Sequence, residues 1–249
     1  MRIGIAAALA FLAGPIQADP VADLIAGLRD ECRGCDLQGA DFKKADLSGV
    51  DLTGADLTDA TFHRASLRGA ILDGVTARGT NFNLADLTQA RMIEGDFVRA
   101  MFYGAQLSGA DLGAADLTEA RMQTARLTSA KLPGAVLDRT LLREAVANNA
   151  DFSMTSMYQT NLNGARLGRS VFDGATITYA GFVEAEASRA SFANATVSYT
   201  DFYGADLRRG TVAGATLTGN RFTTAATREV DFDAAIMTDN FMSNGRMQN

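Results

Sequence analysis

The stretch Ala45-Asp46-Leu47-Ser48-Gly49-Val50-Asp51-Leu52-Thr53-Gly54-Ala55-Asp56-Leu57-Thr58-Asp59 decides the fold. It is one pentapeptide written three times: a small residue, a polar residue, a large apolar centre and two small or polar residues. The same frame runs outward in both directions. From Leu37 to Met242 a centre recurs at every fifth position, and 38 of these 42 positions hold Leu, Phe, Met, Ile or Val. Ala77, Ala147, Ala187 and Thr227 are the exceptions. Two residues before each centre stands a small slot, from Cys35 to Asn240, and 28 of the 42 slots are alanine. A period of five fits neither the 3.6 of a helix nor the 2 of a strand. It requires a repeat architecture.

A second period lies inside the first. Centres 42, 62, 82, 102, 182, 202 and 222 are all Phe, spaced in multiples of 20. Phe152, Phe172, Phe192 and Phe232 share a second column, two sides away. The column between them has no Phe and holds Ala147, Ala187 and Thr227. Large beside small within each 20 residues is what filling a constant cross-section demands. The spacing therefore predicts coils of four pentapeptides.

Ala45-Asp46-Leu47-Ser48-Gly49, Ala55-Asp56-Leu57-Thr58-Asp59 and Ala205-Asp206-Leu207-Arg208-Arg209 follow the pattern A-D/N-L-x-x. In these residues the chain resembles the pentapeptide-repeat family, over residues 35–244. The resemblance implies an all-β fold, a right-handed quadrilateral β-helix (solenoid), one pentapeptide per side. Forty-two pentapeptides give about 10 coils, and roughly 50 Å of rod at ~4.8 Å per coil. Centres and small slots point inward and the other three positions outward. Gly39, Gly49, Gly54, Gly69, Gly74 and Gly79, two places after a centre, suit tight corners. Pro133 is read as the one interruption of the backbone donors.

Composition agrees with a narrow core. The 249 residues are 47% hydrophobic, but 44 are alanine and none is tryptophan. Disorder would be poorer in apolar residues and richer in proline. Two cysteines exclude a disulfide-dense scaffold, and one histidine argues against a His-based metal site. A net charge of −6 disfavours nucleic-acid binding.

Before the repeats, residues 1–18 read as a secretory signal peptide. Arg2 supplies the positive start, Ile3 to Ala13 the apolar run, and Ala18 a small residue at the cleavage point. No remaining segment is long enough to span a bilayer. The expected localisation is periplasmic or secreted. Residues 19–34 form a capping helix and junction. Asp19 caps it, Pro20 suits its first turn, and Val21, Leu24, Ile25 and Leu28 make one apolar stripe. Residues 245–249 are a C-terminal tail. Phe241, Met242 and Met247 either cap the open core or form a homodimer contact.

Catalytic motifs are missing. His63 stands at an outward position, and no nucleophile motif, phosphate loop or dinucleotide fingerprint occurs. The expectation is a protein that is not an enzyme and takes no cofactor or metal. Cys32 and Cys35 form C-x-x-C at the junction. Three readings compete for them: a structural disulfide, which suits export; a pair of buried thiols; and a redox motif, which lacks its βαβ context.

Charge sorts by face. With sides named by their first centres, side 37 carries net −5, side 42 +2, side 47 +3 and side 52 −6 over residues 35–244. Thr176-Ile177-Thr178, Thr196-Val197-Ser198 and Thr216-Leu217-Thr218 lie 20 apart on side 37. Tyr179 and Tyr199 follow at its corner, with Tyr158 and Tyr203 nearby. Rigid exposed tyrosines suit a partner surface. The leading expectation is an exported scaffold with a protein partner in the cell envelope. Two alternatives stand beside it. Some family members mimic DNA and bind a type II topoisomerase through an acidic surface, which applies here only if the chain is not exported. Flat T-x-T arrays on β-solenoids resemble ice-binding surfaces.

Overall fold

The computed structural model describes residues 19–248. The signal-peptide reading falls on residues 1–18, which lie outside the described residues.

Parallel pairing joins the residue before a centre to the residue 20 further on, at every step but Thr211. It runs from Glu31↔Asp51 to Arg221↔Phe241. The coil is therefore four pentapeptides, and the molecule is a four-sided β-solenoid. Pairing starts one pentapeptide before Cys35. Cys32 takes a buried centre position and Gly34 its corner, so the first coil opens at Glu31.

Each pentapeptide spends its backbone donors the same way. The centre's N–H reaches a carbonyl of the next coil (Phe42 N to Thr61 O, 2.8 Å), and so does the corner residue (Lys44 N to His63 O, 3.0 Å). The small slot closes the turn (Ala45 N to Phe42 O, 3.1 Å), and the residue before the centre reaches back one coil (Asp51 N to Asp30 O, 2.9 Å). The position after the centre has no carbonyl partner in this scheme. Pro133 sits there, so it interrupts no donor, contrary to the expectation from sequence.

The core is one continuous cluster of stacked rings and aliphatic side chains from all four sides. Phe42, Phe62, Phe82 and Phe102 stack at 4.9, 5.1 and 5.0 Å between centroids. Phe152, Phe172 and Phe192 stack at 5.0 and 4.8 Å. These separations match the ~4.8 Å spacing of paired strands, so each ring lies on its equivalent one coil away.

Side 37 differs from the rest in its second half. Only there does the chain extend into three-residue strands: β1 Ser156–Tyr158, β2 Thr176–Thr178, β3 Thr196–Ser198, β4 Thr216–Thr218 and β5 Ile236–Thr238. They form one parallel sheet in the order β1-β2-β3-β4-β5, four turns of continuous sheet. On the other sides, neighbouring coils touch through single bridges. Continuous sheet is thus shorter than the expected stack of about 10 coils.

Both ends depart from regularity. At the N-terminus, α1 (Pro20–Ile25) is capped by Asp19, whose carboxylate accepts the Val21 N–H at 3.0 Å. Gly27 has φ +66°, its N–H reaches Leu24 O at 3.1 Å, and Leu28 N–H reaches Asp23 O at 2.9 Å. This pair of bonds stops the helix. Leu24 is buried and Val21 packs on the core, but Ile25 and Leu28 are exposed, so only half of the expected apolar stripe is used. At the other end a 3-10 turn, Phe232–Ala234, is capped by Asp231. The Gly214 N–H consequently reaches Ala234 O rather than the carbonyl of residue 233. Beyond it β6 (Asn240–Phe241) and β7 (Met247–Gln248) pair antiparallel, Phe241 opposite Met247. Both side chains remain exposed, while Met242 packs on the core. No helix among the described residues is long and apolar enough to cross a membrane.

Candidate interaction surfaces

The sheet β1–β5 places the hydroxyl residues in strict ranks. Thr176 pairs with Thr196 and Thr196 with Thr216, while Thr178 pairs with Ser198 and Ser198 with Thr218. Between the two ranks Ile177, Val197 and Leu217 point inward and are buried. Period-two alternation therefore holds locally on this side, and the hydroxyls face solvent or half-burial.

Tyr179 and Tyr199 occupy the corner of this sheet, and Tyr158 ends β1 beside them. Tyr179 and Tyr199 stack at 5.2 Å, and Tyr158 meets Tyr179 edge-on at 6.0 Å. Tyr179 and Tyr199 are 53% and 55% exposed, so the stack is a surface feature. Both have positive φ, +55° and +51°. Bulky residues seldom adopt that conformation. Their N–H groups, donated to Ser198 O and Thr218 O, hold them there. One coil on stands Gly219, where an added Cβ would come within 2.7 Å of the Tyr199 ring. Tyr203 is not part of this row. It lies on side 42 beneath the Arg221 guanidinium, 4.9 Å from the ring centroid.

Under that sheet, buried polar groups close the backbone's accounts. Asn220 Nδ2 donates to Val197 O at 2.9 Å, and its Oδ1 accepts the Thr200 N–H at 2.9 Å. Asn240 repeats the contact one coil later, donating to Leu217 O at 2.7 Å and accepting the Asn220 N–H at 2.9 Å.

The recurrent aspartates also act on the backbone. The position after each centre keeps an unused N–H, and the Asp before the centre accepts it. Asp46 takes Ser48 N–H at 3.1 Å and Asp56 takes Thr58 N–H at 2.9 Å. Where an Asx follows the centre instead, it accepts from the equivalent N–H one coil on, as Asn83 does from Tyr103 at 2.8 Å. The Ser48 hydroxyl, with its N–H, holds the Asp46 carboxyl below the usual carboxylate range, and Thr58 does the same for Asp56. Side-chain hydrogen bonding from the Arg208 guanidinium does so for Asp206.

Cys32 and Cys35 are joined through sulfur, with an S–S distance of 1.98 Å. The bond links the centre of the first pentapeptide to the small slot of the next. Among the described residues, no group of His, Cys, Asp and Glu side chains is arranged to hold a metal ion.

One surface went unread in the sequence. Arg169, Arg189, Arg208, Arg209 and Arg228 line an open groove of about 580 Å³ on the C-terminal half of side 47. Counting charge by side gave only +3 there. Sorting it by position within the coil would have exposed the row, because Arg169, Arg189 and Arg209 are 20 residues apart.

The repeat has counterparts among known proteins. No curated protein sequence matches the chain. The solved structures it resembles include HetL, a pentapeptide repeat protein involved in heterocyst differentiation regulation in the cyanobacterium Nostoc. HetL is 26% identical over 92% of this chain and 98% of its own, with a TM-score of 0.44. They also include QnrB1, a plasmid-mediated fluoroquinolone resistance protein. It is 17% identical over 72% of this chain and 87% of its own, with a TM-score of 0.43. The family described as Pentapeptide repeats matches residues 35–74, 80–119, 120–157, 155–192, 172–209 and 188–223. With that family's period carried by most of its length and built into every coil, the chain belongs to the pentapeptide-repeat family.

Proposed function

We propose that the protein is an exported, non-enzymatic scaffold that holds a protein partner in the cell envelope. The observation that carries this reading is the exposed cluster of Tyr158, at the end of β1, with Tyr179 and Tyr199 at the corner of the same in-register sheet. Aromatic side chains on an unyielding backbone lose little entropy on binding, so they anchor a partner efficiently. Export rests on residues 1–18 of the sequence.

Two measurements test it together. Fractionation followed by N-terminal sequencing should recover a processed chain, beginning at Asp19, outside the cytoplasm. Cross-linking in intact cells should then capture a stoichiometric envelope protein with the native chain and lose it with Tyr199→Ala. A cytoplasmic chain retaining residues 1–18 would overturn export. It would also reopen the DNA-mimic alternative, for which inhibition of DNA supercoiling is the assay.

The ranks Thr176-Thr196-Thr216 and Thr178-Ser198-Thr218 favour one second reading, ice binding, because they set hydroxyls and methyls on a flat lattice. Thermal hysteresis in a solution of the protein is its test, and absence of hysteresis removes it.

A further inference from the structure

The arginine groove has a construction of its own. Arg169, Arg189 and Arg209 hold the corner position of three successive coils, with φ of +59°, +60° and +61°. Equal backbone geometry sends the three side chains out in one line, stepping ~4.8 Å per coil. Arg208 and Arg228 enter from the adjacent outward position. The groove stays open because the small residues Gly168 and Ser188 fill that same outward position in the two coils before Arg208. The Gly168 N–H is taken by Asn148 Oδ1 at 2.9 Å.

Carboxylates already use part of this row. Glu229 sits between Arg209 Nε at 3.0 Å and Arg228 Nε at 3.3 Å, and Arg208 pairs with Asp206 at 2.7 Å. Among the described residues, Arg169 and Arg189 make no such pair. They are the same corner one and two coils above Arg209, and both are exposed. Glu229 thus shows how a carboxylate fits between guanidiniums here, and the next two coils repeat the guanidinium without it.

We propose that the groove receives an extended acidic segment of a partner protein, its carboxylates seated along Arg169, Arg189 and Arg209. The proposal rests on the scaffold reading and names the chemistry of its partner. The three arginines lie two steps apart end to end, about 10 Å, and alternate side chains of an extended peptide stand about 7 Å apart, so two acidic residues fit the row. The guanidinium fork matches a carboxylate in two-pronged geometry. A short segment is favoured over a long polyanion because the chain as a whole is at −6 and repels whatever runs beyond the groove.

Fluorescence anisotropy with a labelled oligoglutamate peptide, at low ionic strength, tests this on the full chain. The native protein should bind the peptide, and should not bind oligolysine. Arg169→Ala with Arg189→Ala should weaken binding at least tenfold at unchanged thermal stability, since neither residue holds an internal ion pair. Arg99→Ala with Arg121→Ala, elsewhere on the rod, should leave binding unchanged. Glu229→Gln should strengthen it by freeing Arg209 and Arg228, an effect that a merely structural role for the row would not produce. No binding by the native protein, equal weakening by the control pair, or inorganic polyphosphate displacing the peptide tenfold more readily would each overturn the proposal. If oligoglutamate fails while Tyr199→Ala still abolishes capture of the envelope partner, the groove is lost as a site and the scaffold reading stands.

Discussion

Asp46 and Lys44 show what a single residue does in this chain. Asp46 accepts the one N–H that its pentapeptide leaves over. Lys44 stands at a corner with φ +59°, as do non-glycine residues at most corners, including Glu119, Arg139 and Tyr199. The sequence suggested glycine for these corners. A left-handed residue with a Cβ costs about 1 kcal/mol, and the corner N–H, bonded to the next coil, offsets it. Asp46, Asp56 and Asp206 have folded-state pKa values lowered by their hydrogen bonds. Their contribution is therefore fully present above the unfolded value, about 3.9, and fades as pH falls through the folded values. Urea midpoints should be flat from pH 7 to about 5 and decline below about pH 4; a midpoint that rises on acidification would contradict this. Asn220→Ala should cost about 1–3 kcal/mol in the same titration, because Val197 O and the Thr200 N–H lose their buried partner. Alanine fills the equivalent slot in other coils (Ala60, Ala100), so packing does not confound the result.

The sides of the coil were legible as a period and less so as shapes. Centres and small slots announced the core, because burying one large and one small side chain per five residues is the only way to fill the cross-section. The flat strands β1–β5 were hinted at by Thr-Ile-Thr and Thr-Val-Ser, which suit extended backbone. The sequence carried no comparable sign of where the sheet would begin. The arginine row was missed for a similar reason: a side's total charge hides how its residues line up along the axis. Within the core, Phe182 stacks on Phe202 at 4.9 Å and meets Phe172 edge-on. Phe182→Ala should destabilise the protein by about 3–5 kcal/mol in chemical denaturation. A loss under about 1 kcal/mol would mean that the coils collapse onto the cavity rather than hold a fixed cross-section. At the N-terminal end, Leu24 is the buried contact of α1. Leu24→Asp should release the cap and expose the end of the stack, raising association in light scattering. A variant that stays monomeric with native stability would show that α1 is dispensable.

Across the whole molecule, one rule sets the placement of every functional candidate: residues 20 apart become neighbours. The Tyr179–Tyr199 pair, the threonine ranks and the arginine row are three products of that rule. Fold and ladders were therefore readable from spacing, whereas the partner was not, since the repeat fixes most positions and leaves only the outward ones to specify contacts. The central claim, a stiff rod advancing one coil per 20 residues, is open to a direct distance measurement. Spin labels carried on unnatural amino acids, which spare Cys32 and Cys35, can be placed at exposed corners Lys44, Glu144 and Thr224 of one column. Pulsed electron paramagnetic resonance should give about 24 Å between backbone positions for Lys44–Glu144 and about 43 Å for Lys44–Thr224, at ~4.8 Å per coil, both with narrow distributions. Distances that fail to grow in proportion to sequence separation, or that spread broadly, would contradict the rod.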